Sequence, residues 1–217
     1  MELKGKKIVF LGDSITEGAC ASEQDKNFVS LTGRMCGADV VSLGVGGTRI
    51  SRQERASACP AFDEDFLRRA DKIGKDADVI VVFGGTNDYG HGDASLGSAG
   101  DKTPYTFYGA SNLLFEKLKN DFPNAQKVVI TPLRRANEDD PLGDHVREFA
   151  TAPLSVYAAI VKAAAKAYGY PVLDLYNLFE TDEELRETFR RSADGLHPDD
   201  FGHAVLAKKI VLFLQEL

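Results

Sequence analysis

The chain has 217 residues, of which 43% are hydrophobic and 27% are charged, and its formal net charge at pH 7 is −7. This composition is typical of a folded domain with an ordinary hydrophobic core and excludes a largely disordered chain. The acidic balance argues against nucleic acid or an anionic membrane surface as a partner, because both bind basic surfaces.

Short apolar runs alternate with longer helical patterns along the sequence. The runs are nearly continuous in apolar residues, which is typical of parallel strands buried on both faces. We predict strands at residues 7–11, 39–43, 78–83, 127–131 and 171–175. We predict helices at residues 28–36, 62–73, 107–121, 153–168 and 201–214. The alternation predicts a doubly wound α/β fold with a mostly parallel sheet of about five strands, in one domain over residues 1–217.

The first apolar run is too short for a signal peptide, and no stretch approaches the ~18 apolar residues of a membrane span. The three cysteines, Cys20, Cys36 and Cys59, are odd in number and lack C-x-x-C spacing. This pattern indicates free thiols in a reducing compartment. We therefore expect a cytoplasmic protein without a membrane span.

Polar and glycine-rich segments follow the first three predicted strands, at residues 12–18, 44–48 and 84–88. Doubly wound sheets bind ligands beyond the carboxyl ends of their strands, so these loops are expected to meet at one edge. Two long loops, at residues 86–104 and 133–152, leave the sheet at the same edge. Loops of this length are often lids or specificity elements, although a solvated surface insertion is the alternative.

One serine, Ser14, lies where the first strand is expected to break into a helix, so its hydroxyl faces a helix N-terminus. It is either a nucleophile or a phosphate-binding residue. A serine nucleophile needs a neighbouring base, and His197 is the best candidate among the four histidines. Asp194 precedes it by three residues in a loop that contains Gly195 and Pro198. Such a carboxylate can orient the imidazole and stabilise the imidazolium that forms during attack.

The tetrahedral intermediate of acyl transfer also needs preorganised hydrogen-bond donors. Three donors are expected at the same edge: the N–H of Ser14, an N–H within Gly44-Val45-Gly46-Gly47, and the side-chain amide of Asn87. Glycines in the segment Gly44-Val45-Gly46-Gly47 would allow its backbone to approach the reacting group closely.

Together these blocks resemble the motifs of the SGNH hydrolases, the GDSL-type esterases and lipases. That family carries a serine, a glycine, an asparagine and a histidine in successive blocks, and the resemblance spans residues 12–198. It implies a catalytic triad made by Ser14, Asp194 and His197. It also implies an oxyanion hole made by Ser14, Gly47 and Asn87. Gly46 is the alternative oxyanion glycine. One departure is Ser42, where many members have the asparagine that opens the second block.

The resemblance implies a three-layer α/β/α sandwich around a flavodoxin-like five-stranded parallel sheet. It also implies an ester hydrolase that works through an acyl-serine without a metal or cofactor. No long apolar lid is apparent, so we expect a small-molecule ester with a short acyl group, such as acetyl on a carbohydrate. A lysophospholipase or thioesterase on the same scaffold is the alternative. Arg49, Tyr89 and His91 are candidate substrate-binding residues.

A non-enzymatic FMN-binding module of flavodoxin type is the alternative from a different class. The turn after Ser14 could cradle a flavin phosphate at the helix N-terminus. This hypothesis leaves Asp194 and His197 without a role and places the negative charge of Glu17 near the phosphate. A nucleotide-binding enzyme is less favoured still, because the chain has no GxxxxGK[ST] motif and no GxGxxG spacing. The sequence does not indicate an oligomeric state.

Overall fold

The computed structural model describes residues 1–147 and 150–217 and contains a five-stranded sheet. Its strands are β1 (Lys7–Gly12), β2 (Asp39–Gly44), β3 (Val79–Phe83), β4 (Gln126–Ile130) and β5 (Val172–Leu173). All neighbouring strands are parallel, and their order across the sheet is β2-β1-β3-β4-β5. This is the order of flavodoxin-like doubly wound sheets, so the predicted fold class is confirmed.

Helices connect the strands and cover both faces of the sheet. The α-helices in the described ranges are α1 (Ser14–Glu17), α2 (Phe28–Cys36), α3 (Phe66–Arg69), α4 (Thr86–His91), α5 (Phe107–Asp121), α6 (Leu154–Ala167), α7 (Leu175–Leu178), α8 (Glu183–Arg191) and α9 (Asp200–Glu216). Four of the five predicted helices are confirmed to within two residues at each end, as α2, α5, α6 and α9.

Successive residues of a strand point to opposite faces, so each central strand contributes to two cores. On β1, Val9 and Leu11 pack in a core with residues of α5 and α6. Ile8 and Phe10 pack in a second core with residues of α2 and α9. All four side chains are buried. The sheet is therefore the middle layer of an α/β/α sandwich, as expected.

The prediction of one helix at residues 62–73 is wrong. This segment contains two short 3₁₀ turns, Pro60–Asp63 and Ala70–Lys72, with α3 between them. Asp65 has an extended backbone, and its carboxylate accepts a hydrogen bond from the N–H of Arg68 at 3.0 Å. An aspartate that caps the helix following it begins a new helix and does not continue the preceding turn.

Two further differences lie near the C-terminal end of the sheet. Strand β5 covers only two of the predicted residues 171–175, because Asp174 caps α7 and accepts a hydrogen bond from the N–H of Asn177. The sequence pattern does not predict helix α8, since charged residues fill most of its positions and Leu185 is its one fully buried apolar side chain. No helix in the described ranges is long and apolar enough to cross a membrane.

Candidate active site

Ser14 lies where β1 ends and α1 begins. Asp13 caps α1, and its carboxylate accepts a hydrogen bond from the N–H of Ile15 at 3.0 Å. Asp13 and Ile15 are buried, whereas Ser14 is partly exposed. At Gly12 a Cβ atom would lie 1.9 Å from Thr16 Oγ1, so only glycine allows this sharp change of direction. The local sequence thus presents the Ser14 hydroxyl at a helix N-terminus.

Three side chains form a continuous hydrogen-bonded chain at this point. Ser14 Oγ lies 2.9 Å from His197 Nε2, and His197 Nδ1 lies 2.6 Å from Asp194 Oδ2. The other carboxylate oxygen, Asp194 Oδ1, accepts hydrogen bonds from the N–H groups of Leu196 and His197 at 2.9 and 2.8 Å. The Ser192 hydroxyl donates to the same oxygen at 3.1 Å. The structure therefore brings together the three predicted catalytic residues, although 183 positions separate the serine from the histidine.

The ionisation of Asp194 fixes the tautomer of His197. Partial burial alone would raise the pKa of the Asp194 carboxyl, but the hydrogen bonds from the His197 ring and from the two backbone N–H groups hold its pKa well below the usual value. An ionised carboxylate only accepts hydrogen bonds, so His197 Nδ1 carries the proton. His197 Nε2 then directs its lone pair at Ser14, and this arrangement allows the ring to take the serine proton.

The register of the sheet brings the other two predicted blocks to the same place. Gly12 at the end of β1 pairs with Gly44 on β2 and with Phe83 on β3, so the three following loops leave the sheet at one level. A Cβ atom at Gly46 would lie 3.7 Å from Ser14 Cβ. The amide of Asn87, on α4, donates from Nδ2 to the carbonyl oxygen of Thr48 at 3.0 Å and so connects α4 to the glycine loop.

The two candidate oxyanion glycines differ in the direction of their N–H groups. Gly46 donates to Glu17 Oε2 at 2.9 Å. Gly47 has a φ of +71°, and a Cβ atom there would lie 2.3 Å from the ring of Phe62. Within residues 1–147 and 150–217, the N–H groups of Gly47 and Ser14 make no hydrogen bond. Gly47 is therefore the better-placed donor of the two glycines.

Sequence reasoning missed Arg69, a buried arginine on α3 that binds the loops beneath the site. Its Nη1 donates to Thr48 Oγ1 at 2.7 Å, and its Nη2 donates to the carbonyl oxygen of Gly12 at 2.9 Å and to that of Leu43. Burial lowers the pKa of this guanidinium, and the charge of Asp13 opposes that effect. Arg69 thus connects the ends of β1 and β2 to Thr48, at the end of the glycine-rich segment of residues 44–48. The sequence signal was its spacing of three residues from the buried Phe66, which places both on one helical face.

Two buried aspartates, Asp13 and Asp88, stabilise the loops that carry the predicted catalytic groups. Burial raises the pKa of Asp13 to about 6. Burial also raises the pKa of Asp88, although its carboxylate accepts hydrogen bonds from the N–H groups of Ile50 and Ser51 at 3.0 and 2.8 Å. The Ser51 hydroxyl donates to Asp88 at 2.5 Å. These bonds connect the start of α4 to the chain that follows the glycine loop.

The structure corrects the expectation that Tyr89 contacts a substrate. Its side chain is fully buried against Tyr157, with a ring-centroid distance of 6.0 Å. Its hydroxyl donates to the carbonyl oxygens of Asn137 and Asp140. The sequence could not show this burial, because a tyrosine has an apolar ring that suits a core and a hydroxyl that suits a binding site.

Arg49 and His91, the other two candidate substrate-binding residues, contact each other. Arg49 Nη1 lies 2.9 Å from His91 Nδ1, and His91 Nε2 lies 3.2 Å from Asn87 Oδ1. Arg49 is 2% exposed, so its guanidinium lies behind the site and has little access to a substrate. His91 is partly exposed.

A cavity of about 510 Å³ lies beside His91. Charged, polar and apolar side chains line it, including those of Arg55, Asp93, Ser95, Leu96 and Val146. A cavity of this volume suits a small organic molecule.

The predicted loop at residues 133–152 rests against the site on two sides; residues 148 and 149 lie outside the described part. The N–H of Ala136 donates to the carbonyl oxygen of Gly195 at 2.7 Å, in the loop that carries His197. The N–H of Asp144 donates to the carbonyl oxygen of Gly90 on α4 at 2.8 Å. At the start of the other predicted loop, residues 86–104, α4 itself forms the first six residues.

Cys20 lies beside the side chains of Asp194 and His197, two of the predicted catalytic residues. The potential metal-binding atoms of Cys20, Asp194 and His197 lie within 4.8 Å of one another, and they form the one such cluster in the described residues. Burial raises the pKa of the Cys20 thiol, with a further contribution from the negative charge of Asp194. The thiol is free, as are those of Cys36 and Cys59.

The sequence model of the GDSL-like lipase/acylhydrolase family matches residues 10–205. The chain belongs to this family. Membership confirms the resemblance to SGNH hydrolases and makes the protein a carboxylic ester hydrolase. The matched range includes all of the predicted catalytic and oxyanion residues. Comparison with curated protein sequences gives no match.

Solved structures of similar fold include other proteins of this class. A protein from Lactobacillus plantarum is 29% identical, with a TM-score of 0.81, and the match covers 99% of this chain and 98% of that one. A lipase/acylhydrolase from Enterococcus faecalis is 23% identical, with a TM-score of 0.69 and coverages of 97% and 96%. A carbohydrate acetylesterase family member from Sinorhizobium meliloti is 16% identical, with a TM-score of 0.67 and coverages of 97% and 98%. At their identities the last two show the fold alone.

Proposed function

We propose that this GDSL hydrolase is a serine esterase that cleaves small carboxylic esters through an acyl-serine intermediate at Ser14. The observation that carries the proposal is the unbroken chain of hydrogen bonds from Ser14 through His197 to Asp194, at 2.9 and 2.6 Å. It provides a nucleophile, a base in the required tautomer and a carboxylate that orients the base.

In the acylation step Ser14 Oγ attacks the ester carbonyl carbon while His197 Nε2 takes the hydroxyl proton. The carbonyl oxygen becomes an oxyanion, and three donors stabilise it: the N–H groups of Ser14 and Gly47 and the amide of Asn87. Such donors stabilise the transition state because they are already oriented before charge develops. His197 then gives its proton to the departing alcohol, and the acyl group remains on Ser14.

Deacylation repeats these steps with water as the nucleophile. His197 Nε2 takes a proton from water as the water attacks the acyl carbon, and the same donors stabilise the second oxyanion. His197 then returns the proton to Ser14 Oγ, and the carboxylic acid leaves. Asp194 stays ionised throughout, because its low pKa favours the charge that stabilises the imidazolium.

For the substrate, we propose a short acyl group, such as acetyl, on a carbohydrate or another small polar alcohol. The cavity of about 510 Å³ beside His91 is consistent with a small substrate, because its volume fits a small molecule and its lining mixes charged with apolar side chains. None of the proposed catalytic residues lines it, but His91 contacts Asn87 and so connects the cavity to the proposed oxyanion hole. The name of the Sinorhizobium meliloti neighbour, a carbohydrate acetylesterase family member, is consistent with it.

A series of p-nitrophenyl esters of increasing acyl length tests two parts of the proposal, that the protein hydrolyses esters and that it prefers a short acyl group. We expect kcat/KM to be highest for acetate or butyrate and to fall steadily with longer chains. A maximum at about eight carbons or more would contradict the short-acyl proposal, since each buried CH₂ then adds binding energy of about 0.8 kcal/mol. Release of acetate from a peracetylated sugar, compared with acid release from a lysophospholipid and from an acyl thioester, tests the class of alcohol or thiol.

The matched control compares two serine variants. Ser14→Ala should abolish hydrolysis of every ester, while thermal unfolding shows that the variant is folded. Ser98→Ala should retain wild-type rates, because Ser98 is an exposed loop serine whose hydroxyl donates to Asp101. Activity that survives in folded Ser14→Ala would contradict the acyl-serine mechanism.

A further inference from the structure

We propose that His91 and Arg49 are positioning residues that hold the Asn87 amide with one of its N–H groups directed at the oxyanion. This inference rests on the proposed role of Asn87 as an oxyanion donor. It replaces the expectation that Arg49 binds substrate directly, and it gives the ring nitrogens of His91 partners within the protein.

The direction of each hydrogen bond follows from the chemistry of arginine. A guanidinium has only donors, so the 2.9 Å contact between Arg49 Nη1 and His91 Nδ1 requires Nδ1 to be the acceptor. A neutral imidazole with an unprotonated Nδ1 carries its proton on Nε2. The 3.2 Å contact from His91 Nε2 to Asn87 Oδ1 is therefore donated by the histidine. This bond places the oxygen of the Asn87 amide on the side of His91.

The second contact of the amide agrees with the first. Asn87 Nδ2 donates to the carbonyl oxygen of Thr48 at 3.0 Å, which uses one of its two N–H groups. If the amide rotated by half a turn, its oxygen would face the Thr48 carbonyl oxygen and its NH₂ group would face the His91 Nε2–H. Both contacts would then be repulsive. One orientation is thus fixed from both ends, and it leaves the second N–H of Nδ2 for the oxyanion.

The surroundings keep His91 in the tautomer that this chain requires. Burial, together with the adjacent charge of Arg49, lowers the pKa of His91 to about 4. The ring is therefore neutral at the pH at which a serine esterase works. Asn87 and His91 are one helical turn apart on α4, so their side chains are neighbours on one face.

Arg49 is itself held in place by the chain that follows the site. Its Nη2 donates to the carbonyl oxygen of Phe62 at 3.1 Å and to Asp63 Oδ1 at 3.0 Å, and its Nη1 also reaches the carbonyl oxygen of His91 at 3.2 Å. The guanidinium is nearly inaccessible to solvent. It can therefore act on the reaction through His91 and Asn87 without touching the substrate.

A double-mutant cycle on p-nitrophenyl acetate hydrolysis tests the proposal. We expect Asn87→Ala to lower kcat by about 10²–10³-fold, as for loss of an oxyanion donor. We expect His91→Ala to lower kcat by about 10-fold with little change in KM, since it removes one positioning hydrogen bond. In the Asn87→Ala background, His91→Ala should change kcat less than about 2-fold, because the amide that it positions is gone. His91→Gln, which can place an N–H near the former Nε2, should recover part of the loss.

The outcomes separate this inference from the proposed function. If Asn87→Ala leaves kcat unchanged, the proposed oxyanion role of Asn87 is wrong. If Asn87→Ala is costly and His91→Ala costs as much in that background as in the wild type, the positioning role alone is wrong.

A spectroscopic measurement needs no variant that alters the site. The ¹⁵N chemical shifts of the histidine rings in the wild-type enzyme distinguish a protonated from an unprotonated nitrogen. At neutral pH we expect His91 to be protonated at Nε2 and unprotonated at Nδ1. An Nδ1-protonated ring or an imidazolium would overturn the proposal, because neither can accept from Arg49.

Discussion

Asp194→Asn should change the His197 ring from a tautomer that can act as a base to one that cannot, without disturbing the fold. In the variant, the amide oxygen can still accept the two hydrogen bonds from the N–H groups of Leu196 and His197. The NH₂ group then faces His197 Nδ1, which lies 2.6 Å from Asp194 Oδ2 in the wild type. An NH₂ group only donates, so Nδ1 must become the acceptor and the ring proton must move to Nε2.

The consequence for the reaction can be given a magnitude. With a proton on Nε2, His197 donates to Ser14 across the 2.9 Å contact and cannot take the serine proton. The imidazolium would also lose its ionised partner. We expect kcat for p-nitrophenyl acetate to fall by about 10⁴-fold, which corresponds to about 5 kcal/mol in the activation barrier. KM and the midpoint of thermal unfolding should change little.

Ser192→Ala is the matched control for this experiment. It removes the 3.1 Å hydrogen bond from the Ser192 hydroxyl to Asp194 Oδ1 but leaves the carboxylate in place. We expect kcat to change less than about 5-fold, because the ring keeps its tautomer and one exposed hydrogen bond contributes about 1 kcal/mol or less. A folded Asp194→Asn enzyme with a tenth or more of wild-type kcat would refute the tautomer argument.

Three further predictions test other parts of the site. Gly47→Ala should lower kcat by about 10²-fold or more. Residue 47 has a φ of +71°, and the new Cβ would lie 2.3 Å from the Phe62 ring, so the N–H donor would be displaced. A wild-type kcat in this variant would exclude Gly47 as a donor. Burial raises the pKa of Asp13 from 3.8 to about 6, so the folded state binds more protons between these values and stability falls as pH rises through them. The free energy of unfolding of Asp13→Asn, measured in urea relative to the wild type, should therefore rise by roughly 2–3 kcal/mol between pH 4 and pH 8. A difference between the two proteins that does not vary with pH would contradict the buried charge. Alkylation of Cys20 by a maleimide at about pH 8.5 should block hydrolysis, because the thiol sulfur lies within 4.8 Å of a carboxylate oxygen of Asp194 and a ring nitrogen of His197. Cys20→Ser should be active and insensitive to the reagent, and an alkylated wild type with full activity would show that the substrate avoids this side of the site.

The sheet and most of its helices could be predicted because their signals are local. Continuous apolar runs mark buried parallel strands, and the loops that follow β1, β2 and β3 necessarily emerge at one edge. The convergence of Ser14, Asn87 and His197 follows from that geometry and from the family motifs. The broken helix at residues 62–73 shows the limit, because the capping bond of Asp65 competes with helix continuation in a way that apolar spacing does not reveal.

The supporting residues of the site could not be predicted, because their roles depend on partners distant in sequence. Arg69 is buried only because it meets the carbonyl oxygens of Gly12 and Leu43. The sequence positions of Tyr89 and Arg49 predict that both contact a substrate, since residues in loops near a site often bind the ligand. Both side chains are buried and contact other parts of the protein instead. No single sequence position encodes that burial.

A fluorophosphonate probe tests the central claim, that Ser14 is the nucleophile, most directly. Such a probe forms a covalent bond with an activated serine hydroxyl, and digestion followed by mass spectrometry identifies the modified residue. We expect one adduct on Ser14 in the wild type, with loss of hydrolysis in proportion to labelling, and no adduct in folded Ser14→Ala. An adduct on another residue that accompanies the loss of hydrolysis, or an active wild type that resists the probe, would contradict the account.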